Sequence, residues 1–174
     1  MVLADVIRTM IAPGLSLLPS VMDSFAARRM LVCIGLQESD FLHRRQIQGP
    51  ARGWWQFEIG GTRGVLEHHA SKLYAWDVAE KIGYRNADAH ALYLTLEHND
   101  LLASTFARLL LWRLPMALPE TAEAAWGQYL DAWRPGAQRN PDGSWKPTPL
   151  KWVKHWASAT EAVAATHTPV TTRY

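Results

Sequence analysis

One segment, SFAARRMLVCIGLQE at 24–38, constrains the fold more than any other. Ala27, Leu31 and Ile34 recur at spacings of four and three residues, and a further step of four lands on Glu38. That is the period of one face of an α-helix. Asp23 or Ser24 supplies the oxygen acceptor that starts such a helix. The expected helix turns one face to a core and carries a carboxylate from that same face at its last turn. Directly after it, SDFLHRRQIQGPARGWWQFE changes character to Gly, Pro, Arg and paired Trp. A chain of this kind packs the helix on others and then turns sharply.

The rest of the chain reads as more helix. Residues 3–12 form a short first helix stopped by Pro13 and Gly14, with a connector from Leu15 to Val21. Residues 39–64 are irregular, with glycines at 49, 53, 60, 61 and 64, and suit short strands or turns. Helices resume over 64–82 and 86–113, the latter with a break near Asn99–Asp100 and a stop at Pro115 and Pro119. Another covers 120–133. RPGAQRNPDGSWKPTP is turn-rich, and a last helix covers 149–165. The expected fold class is mainly α, with a small irregular or β insertion after the glutamate helix. The expected organisation is an N-terminal helix and connector at 1–20, one domain at 21–165 and a loose tail at 166–174.

Composition narrows the function classes. With 48% hydrophobic and 20% charged residues in 174, the chain suits one globular domain. A net charge of +2 is too weak to argue for nucleic acid, and the short pairs Arg28-Arg29 and Arg44-Arg45 read as solvated faces. Cys33 is the one cysteine and sits among Leu31, Val32 and Ile34, as a small buried hydrophobe does. No stretch approaches the roughly 18 apolar residues of a membrane span. The first residues hold Asp5, Arg8 and Pro13 and make a poor signal peptide, so delivery to any extracellular substrate is expected to come from elsewhere. Glu67-His68-His69 lacks a second pair at ligand spacing, so no metal and no cofactor is expected. Tryptophan is the outlier at nine residues. Its rings serve either as core and interface filling or as stacking faces for sugars. Trp133 and Arg134 either border a cleft or pack their helix.

Glu38 invites a chemical reading. A carboxylate on the buried face of a helix C-terminus is disfavoured as an anion by desolvation and by the helix dipole. Held protonated near neutral pH, it can give a proton to a glycosidic oxygen. Gly53 lets backbone approach a substrate, Trp54 and Trp55 offer aromatic walls, and Arg44, Arg45 and Arg52 can hold carboxylates. The plain alternative for a lone helix-end glutamate is a solvated or capped side chain.

The segment Glu38-Ser39-x-Phe41, nine further residues, then Ala51-x-Gly53-x-x-Gln56 resembles the catalytic motif of the soluble lytic transglycosylases, relatives of goose-type lysozyme. Positions 38 and 56 are 18 apart, the family's own spacing from glutamate to glutamine. The resemblance covers about 20 residues. It implies a lysozyme-like fold with Glu38 as the single acid/base and Gln56 as a cleft-lining contact. It also implies that Ser39 positions the sugar or the glutamate, and that the substrate is the glycan backbone of peptidoglycan. Trp54 and Trp55 stand where the family has Leu-Met. The family's later A-Y-N-A-G-like stretch, whose Tyr orients the glutamate, is not matched at 86–112, where Phe106 stands. Arg108, His43 or Tyr93 are the substitutes that the sequence offers. The stretch is also similar to small phage proteins of unassigned role. That likeness implies a phage virion, tail or lysis protein, made in the host cytoplasm and acting at the wall beside other virion proteins.

One carboxylate or two decides the chemistry. Ordinary glycoside hydrolysis needs a second carboxylate, roughly 5–10 Å from the first. Asp40 points away from Glu38, whereas Glu58 shares the face of Gln56. A lytic transglycosylase needs only Glu38, and that reading is preferred. Arg52 is expected to read a peptide-stem or lactyl carboxylate. The alternative is a virion structural or assembly protein that keeps the fold without activity, with Glu38 locked to Arg45 or Arg108.

Overall fold

The computed structural model describes residues 1–166 other than 136, 137, 139, 143 and 145. The expected loose tail therefore falls, from residue 167 onward, outside the described residues, as does Trp145. The chain is mainly helical: α1 Leu3–Val6, α2 Ala12–Leu15, α3 Phe25–Ser39, α4 Ile59–Glu67, α5 Lys72–Lys81, α6 Ala89–Thr95, α7 Asp100–Trp112, α8 Ala122–Trp133 and α9 Leu150–Thr166.

Helix α7 is central. Every residue from Leu102 to Leu111 is buried. A helix buried on all sides is one surrounded by others. The first helical stretch and α5 pack on it, and α3 lies along α9. One continuous core runs from Val6 and Ile11 through Phe106 and Leu109 to Trp152 and Val163. Residues 1–20 contribute Val6, Ile11 and Leu15 to that core, each fully buried.

The first helix does not stop at Pro13. A π-helical turn, Ile7–Ile11, joins α1 to α2, and helix continues through Pro13 and Gly14 to Leu15. A π turn lets a helix absorb a residue that would otherwise break its hydrogen-bond pattern. The neighbouring α7 completes the local bonding: the Ser104 hydroxyl donates to the Met10 carbonyl at 3.0 Å and the Thr105 hydroxyl to that of Gly14 at 3.1 Å. Gly14 is required by this crossing, because a Cβ there would stand 1.9 Å from Ser104 Oγ.

Elsewhere the helices follow their caps. Ser24, Asp88, Asn99 and Thr121 each accept a hydrogen bond from a backbone N–H in the first turn of α3, α6, α7 and α8. The expected break near Asn99–Asp100 is the Asn99 cap. The expected single helix at 64–82 is instead α4 and α5, and α4 begins five residues earlier, at Ile59. Ser71 closes α4 by donating to the Val65 carbonyl at 2.6 Å.

Between α3 and α4 lies the insertion, residues 40–58. Its β structure, among the described residues, is two isolated antiparallel bridges, Arg45 with Arg52 and Arg52 with Phe57. A longer ladder is prevented by the backbone. Asp40, Phe41, Gln48, Gly53 and Gln56 all have positive φ, which ends extended pairing. Among the described residues, no helix is long and apolar enough to cross a membrane.

Candidate active site

Glu38 is placed by the way α3 ends. Asp40 takes a left-handed φ of 50° and its N–H returns to the Leu36 carbonyl. Phe41, with φ 52°, folds back over the helix so closely that a Cβ on Gly35 would lie 2.1 Å from its ring. Ser39 pins the returning loop. Its hydroxyl reaches the Trp54 carbonyl at 2.7 Å and the Gly35 carbonyl at 3.2 Å, and it receives the Phe41 N–H at 3.2 Å. Ser39 thus holds the glutamate's surroundings rather than touching Glu38.

The carboxylate meets a partner from far along the chain. Tyr129 of α8 donates its hydroxyl to Glu38 Oε1 at 2.6 Å. Its ring stacks on Trp152 at 5.0 Å and on Trp133 at 6.1 Å between centroids. Trp126, Tyr129 and Trp133 lie three and four apart on one helical face, which brings that aromatic stripe against α9 and α3. Burial pushes the Glu38 carboxyl up to about 7, while the Tyr129 hydrogen bond and the Lys151 charge pull it the other way. Burial, the Glu38 charge and the shared hydrogen bond push the Tyr129 hydroxyl up, so it stays a donor. With Oε1 engaged as acceptor, the acidic proton of the neutral form belongs to Oε2.

Glu38 lines a cleft of about 510 Å³ together with Gln46, Gln56, Glu58, Leu110, Trp133 and Arg134, among others. Of the residues singled out in the sequence, Glu38, Gln56 and Glu58 come together here. Gln56, at φ 48°, is held by hydrogen bonds from its amide to the carbonyls of Gly53 at 2.8 Å and His43 at 3.3 Å. Glu58 starts α4 without capping it, which leaves its carboxylate available. Trp133 and Arg134, the WRPG pair, do border the cleft.

The remaining site residues are buttresses. Trp55 is wholly buried and offers no face to a sugar: its indole N–H donates to the Leu31 carbonyl at 2.9 Å. Its own carbonyl receives the Trp133 indole N–H at 2.9 Å. This relay ties α3, the insertion and α8 into one frame around Glu38. Trp54 is 7% exposed and the Arg44 guanidinium covers its ring at 4.3 Å. Arg44 in turn pairs with Asp100. Arg52 turns away from the cleft: its Nε lies 3.1 Å from Glu97 and its guanidinium faces the Tyr93 ring at 5.5 Å. A buried guanidinium takes the carboxylate that neutralises it, and for Arg52 that carboxylate is the protein's own. The Tyr93 hydroxyl donates to the Pro50 carbonyl. Gly53, at φ 71°, is required where the turn meets α6, since a Cβ would stand 2.4 Å from the Leu96 carbonyl oxygen.

None of the expected substitutes partners Glu38. Arg108 is buried and donates to the Met22 carbonyl at 2.8 Å, Tyr93 holds Pro50, and His43 meets Gln56 through its backbone. Among the described residues no cation ion-pairs with Glu38, so it is not locked to Arg45 or Arg108. Asp40 is exposed, pairs with Lys151 at 3.4 Å and lies 3.6 Å from His155 Nε2. Tyr129 was not singled out from the sequence. Its one signal was its place on the Trp126–Trp133 stripe.

No protein-family model matches the chain, and no curated protein matches it in sequence.

Proposed function

We propose that the chain is a lysozyme-like, peptidoglycan-cleaving enzyme that acts on the N-acetylmuramic acid–N-acetylglucosamine backbone as a lytic transglycosylase. The observation that carries this reading is Glu38: a carboxyl pushed up to about 7, held by Tyr129 and opening on a cleft with Gln56. A neutral carboxylic acid beside a cleft is the general acid that glycoside cleavage needs. Tyr129 fills the orienting role that the family resemblance assigns to a tyrosine, and the absence of an ion pair at Glu38 among the described residues favours activity over a purely structural role. Glu38 protonates the bridging oxygen as the glycosidic bond breaks. The resulting carboxylate then takes the proton of the muramyl 6-hydroxyl as that oxygen closes on the anomeric carbon. The product is a 1,6-anhydro sugar and Glu38 is again neutral. A phage virion, tail or lysis setting rests on the sequence likeness alone.

Glu58 supports a second reading, because it lines the same cleft and could direct a water for hydrolysis. Digestion of purified peptidoglycan by the wild type, Glu38→Gln and Glu58→Gln, with products read by mass spectrometry, separates the two. Anhydro-muramyl ends lost in Glu38→Gln and kept in Glu58→Gln are expected. Reducing ends that need both residues make the protein a muramidase. No product from the wild type on walls of several bacterial types moves the reading to a structural virion protein.

A further inference from the structure

A second cavity, of about 420 Å³, lies across α7 from the Glu38 cleft. Leu110 faces the cleft, whereas Arg108, Leu111 and Trp112 face this cavity. At about 100° per residue, Arg108 and Trp112 lie roughly opposite Leu110 on the helix, and Leu111 stands at the flank between the two faces. Its size falls within the roughly 300–1,000 Å³ of small-molecule sites. Val21, Leu111, Leu114, Met116 and Leu118 make most of its wall apolar. Val21 and Met116, 71% and 52% exposed, stand at the rim.

Arg108 does not belong in such a wall unless something answers its charge. It is 3% exposed. Among the described residues, its hydrogen bond runs from Nε to the Met22 carbonyl, its guanidinium faces the Trp112 ring at 5.1 Å, and no carboxylate pairs with it. Asp23 is near enough to act on it, but both Asp23 oxygens bind Arg28, each at 2.7 Å. A buried cation left without an anion is costly. Ser24 adds a second donor: its oxygen accepts from the Ala27 N–H at 3.1 Å, which leaves the hydroxyl proton free to turn into the cavity.

We propose that this cavity binds a small amphipathic monocarboxylate, with the carboxylate on Arg108 and a short apolar group against Leu111, Leu114 and Leu118. The apolar wall accounts for the hydrocarbon, and the single guanidinium matches a single negative charge bidentately. A phosphate would set two charges against that wall. An uncharged apolar molecule would leave Arg108 unanswered. This site is separate from the Glu38 chemistry and stands whether or not that chemistry does.

The test uses the full chain, hexanoate as the probe, and hexan-1-ol and inorganic phosphate as controls. Two-dimensional ¹H–¹⁵N spectra report binding through the Trp112 indole signal, with the Trp133 indole as the reporter of the Glu38 cleft. Hexanoate is expected to shift Trp112 and leave Trp133 in place. Hexan-1-ol should bind at least about tenfold more weakly, the loss of one charge-assisted hydrogen bond. Arg108→Gln should remove the difference between the two. Met116→Glu, at the exposed rim, should keep the fold and weaken hexanoate but not hexan-1-ol. The proposal is overturned if hexanoate leaves Trp112 unmoved, or if it moves Trp133 instead. It is equally overturned if hexan-1-ol binds as tightly as hexanoate, if phosphate displaces hexanoate, or if hexanoate is indifferent to Met116→Glu.

Discussion

Helix α7 separates two cavities, each with one ionisable side chain withdrawn from water, Glu38 on one side and Arg108 on the other. Burial acts on both in the same sense, against the charged form. It lifts Glu38 from an ordinary 4.5 to about 7 and brings Arg108 down from the usual guanidinium range to about 10. The outcomes differ because the starting points differ. The carboxyl arrives at working pH and can give and take a proton. The guanidinium stays charged at neutral pH, so it can only hold an anion. The local partners sharpen the contrast. Glu38 has a phenol hydroxyl that engages one oxygen and leaves the second, and Arg108 has a backbone carbonyl and, among the described residues, no paired carboxylate. On the two proposals made above, the same desolvation suits one cavity to proton donation and the other to anion binding.

The comparison can be broken most forcefully at Glu38. Glu38→Gln keeps the shape and removes the proton, and cleavage of peptidoglycan should fall by about 10²–10⁴, the usual worth of a general acid. Binding of hexanoate in the Arg108 cavity should be unchanged in that variant, which checks that the two cavities are independent. Breaking their shared wall should damage both. Phe106 is fully buried in α7, and Phe106→Ala should cost about 3–5 kcal/mol in urea unfolding.

The pH dependence of stability sharpens the account of Glu38. Its folded value lies above its unfolded one, so the folded state binds the proton more tightly. Wild-type stability should therefore fall between about pH 4.5 and pH 7 and level off above that. Glu38→Gln should lose this slope and unfold later than the wild type above pH 7, by on the order of 1–3 kcal/mol. Urea midpoints across that pH range measure it.

Tyr129→Phe tests the partner. The ring stacking on Trp152 and Trp133 survives, and only the hydroxyl is lost. That hydrogen bond holds the Glu38 carboxyl down, so removing it should move the alkaline limb of the activity profile to higher pH. A shift to lower pH would contradict the assignment. The smallest change is expected from Lys151→Met, which removes a charge that favours the Glu38 anion. The same limb should move upward again, by less than in Tyr129→Phe and by less at high salt.

What was legible in the sequence was local. The Ser24 cap, the four-and-three spacing through Ile34 and the position of Glu38 on that face all depend on neighbours within one or two turns. The Asn99 cap splits α6 from α7 for the same reason. What was not legible depends on residues distant in the chain. Pro13 stays inside a helix because Ser104 and Thr105 bond its neighbours from α7. Trp54 and Trp55 suit a sugar wall by composition, yet the Arg44 guanidinium and the Leu31 carbonyl take them into the frame. Arg52 suits a substrate carboxylate until Glu97 supplies one. Tyr129 lies 91 positions from Glu38, and its place on the Trp126–Trp133 stripe marks it as core-facing without showing that it will meet Glu38.

The proposed chemistry requires Glu38 to be a neutral acid near pH 7. The most direct measurement is the ¹³C shift of its carboxyl carbon, assigned through Glu38→Gln and followed from pH 3 to pH 9. A titration centred near 7 is expected. A midpoint near the ordinary 4.5 would rule it out, since Glu38 would then be an anion at neutral pH.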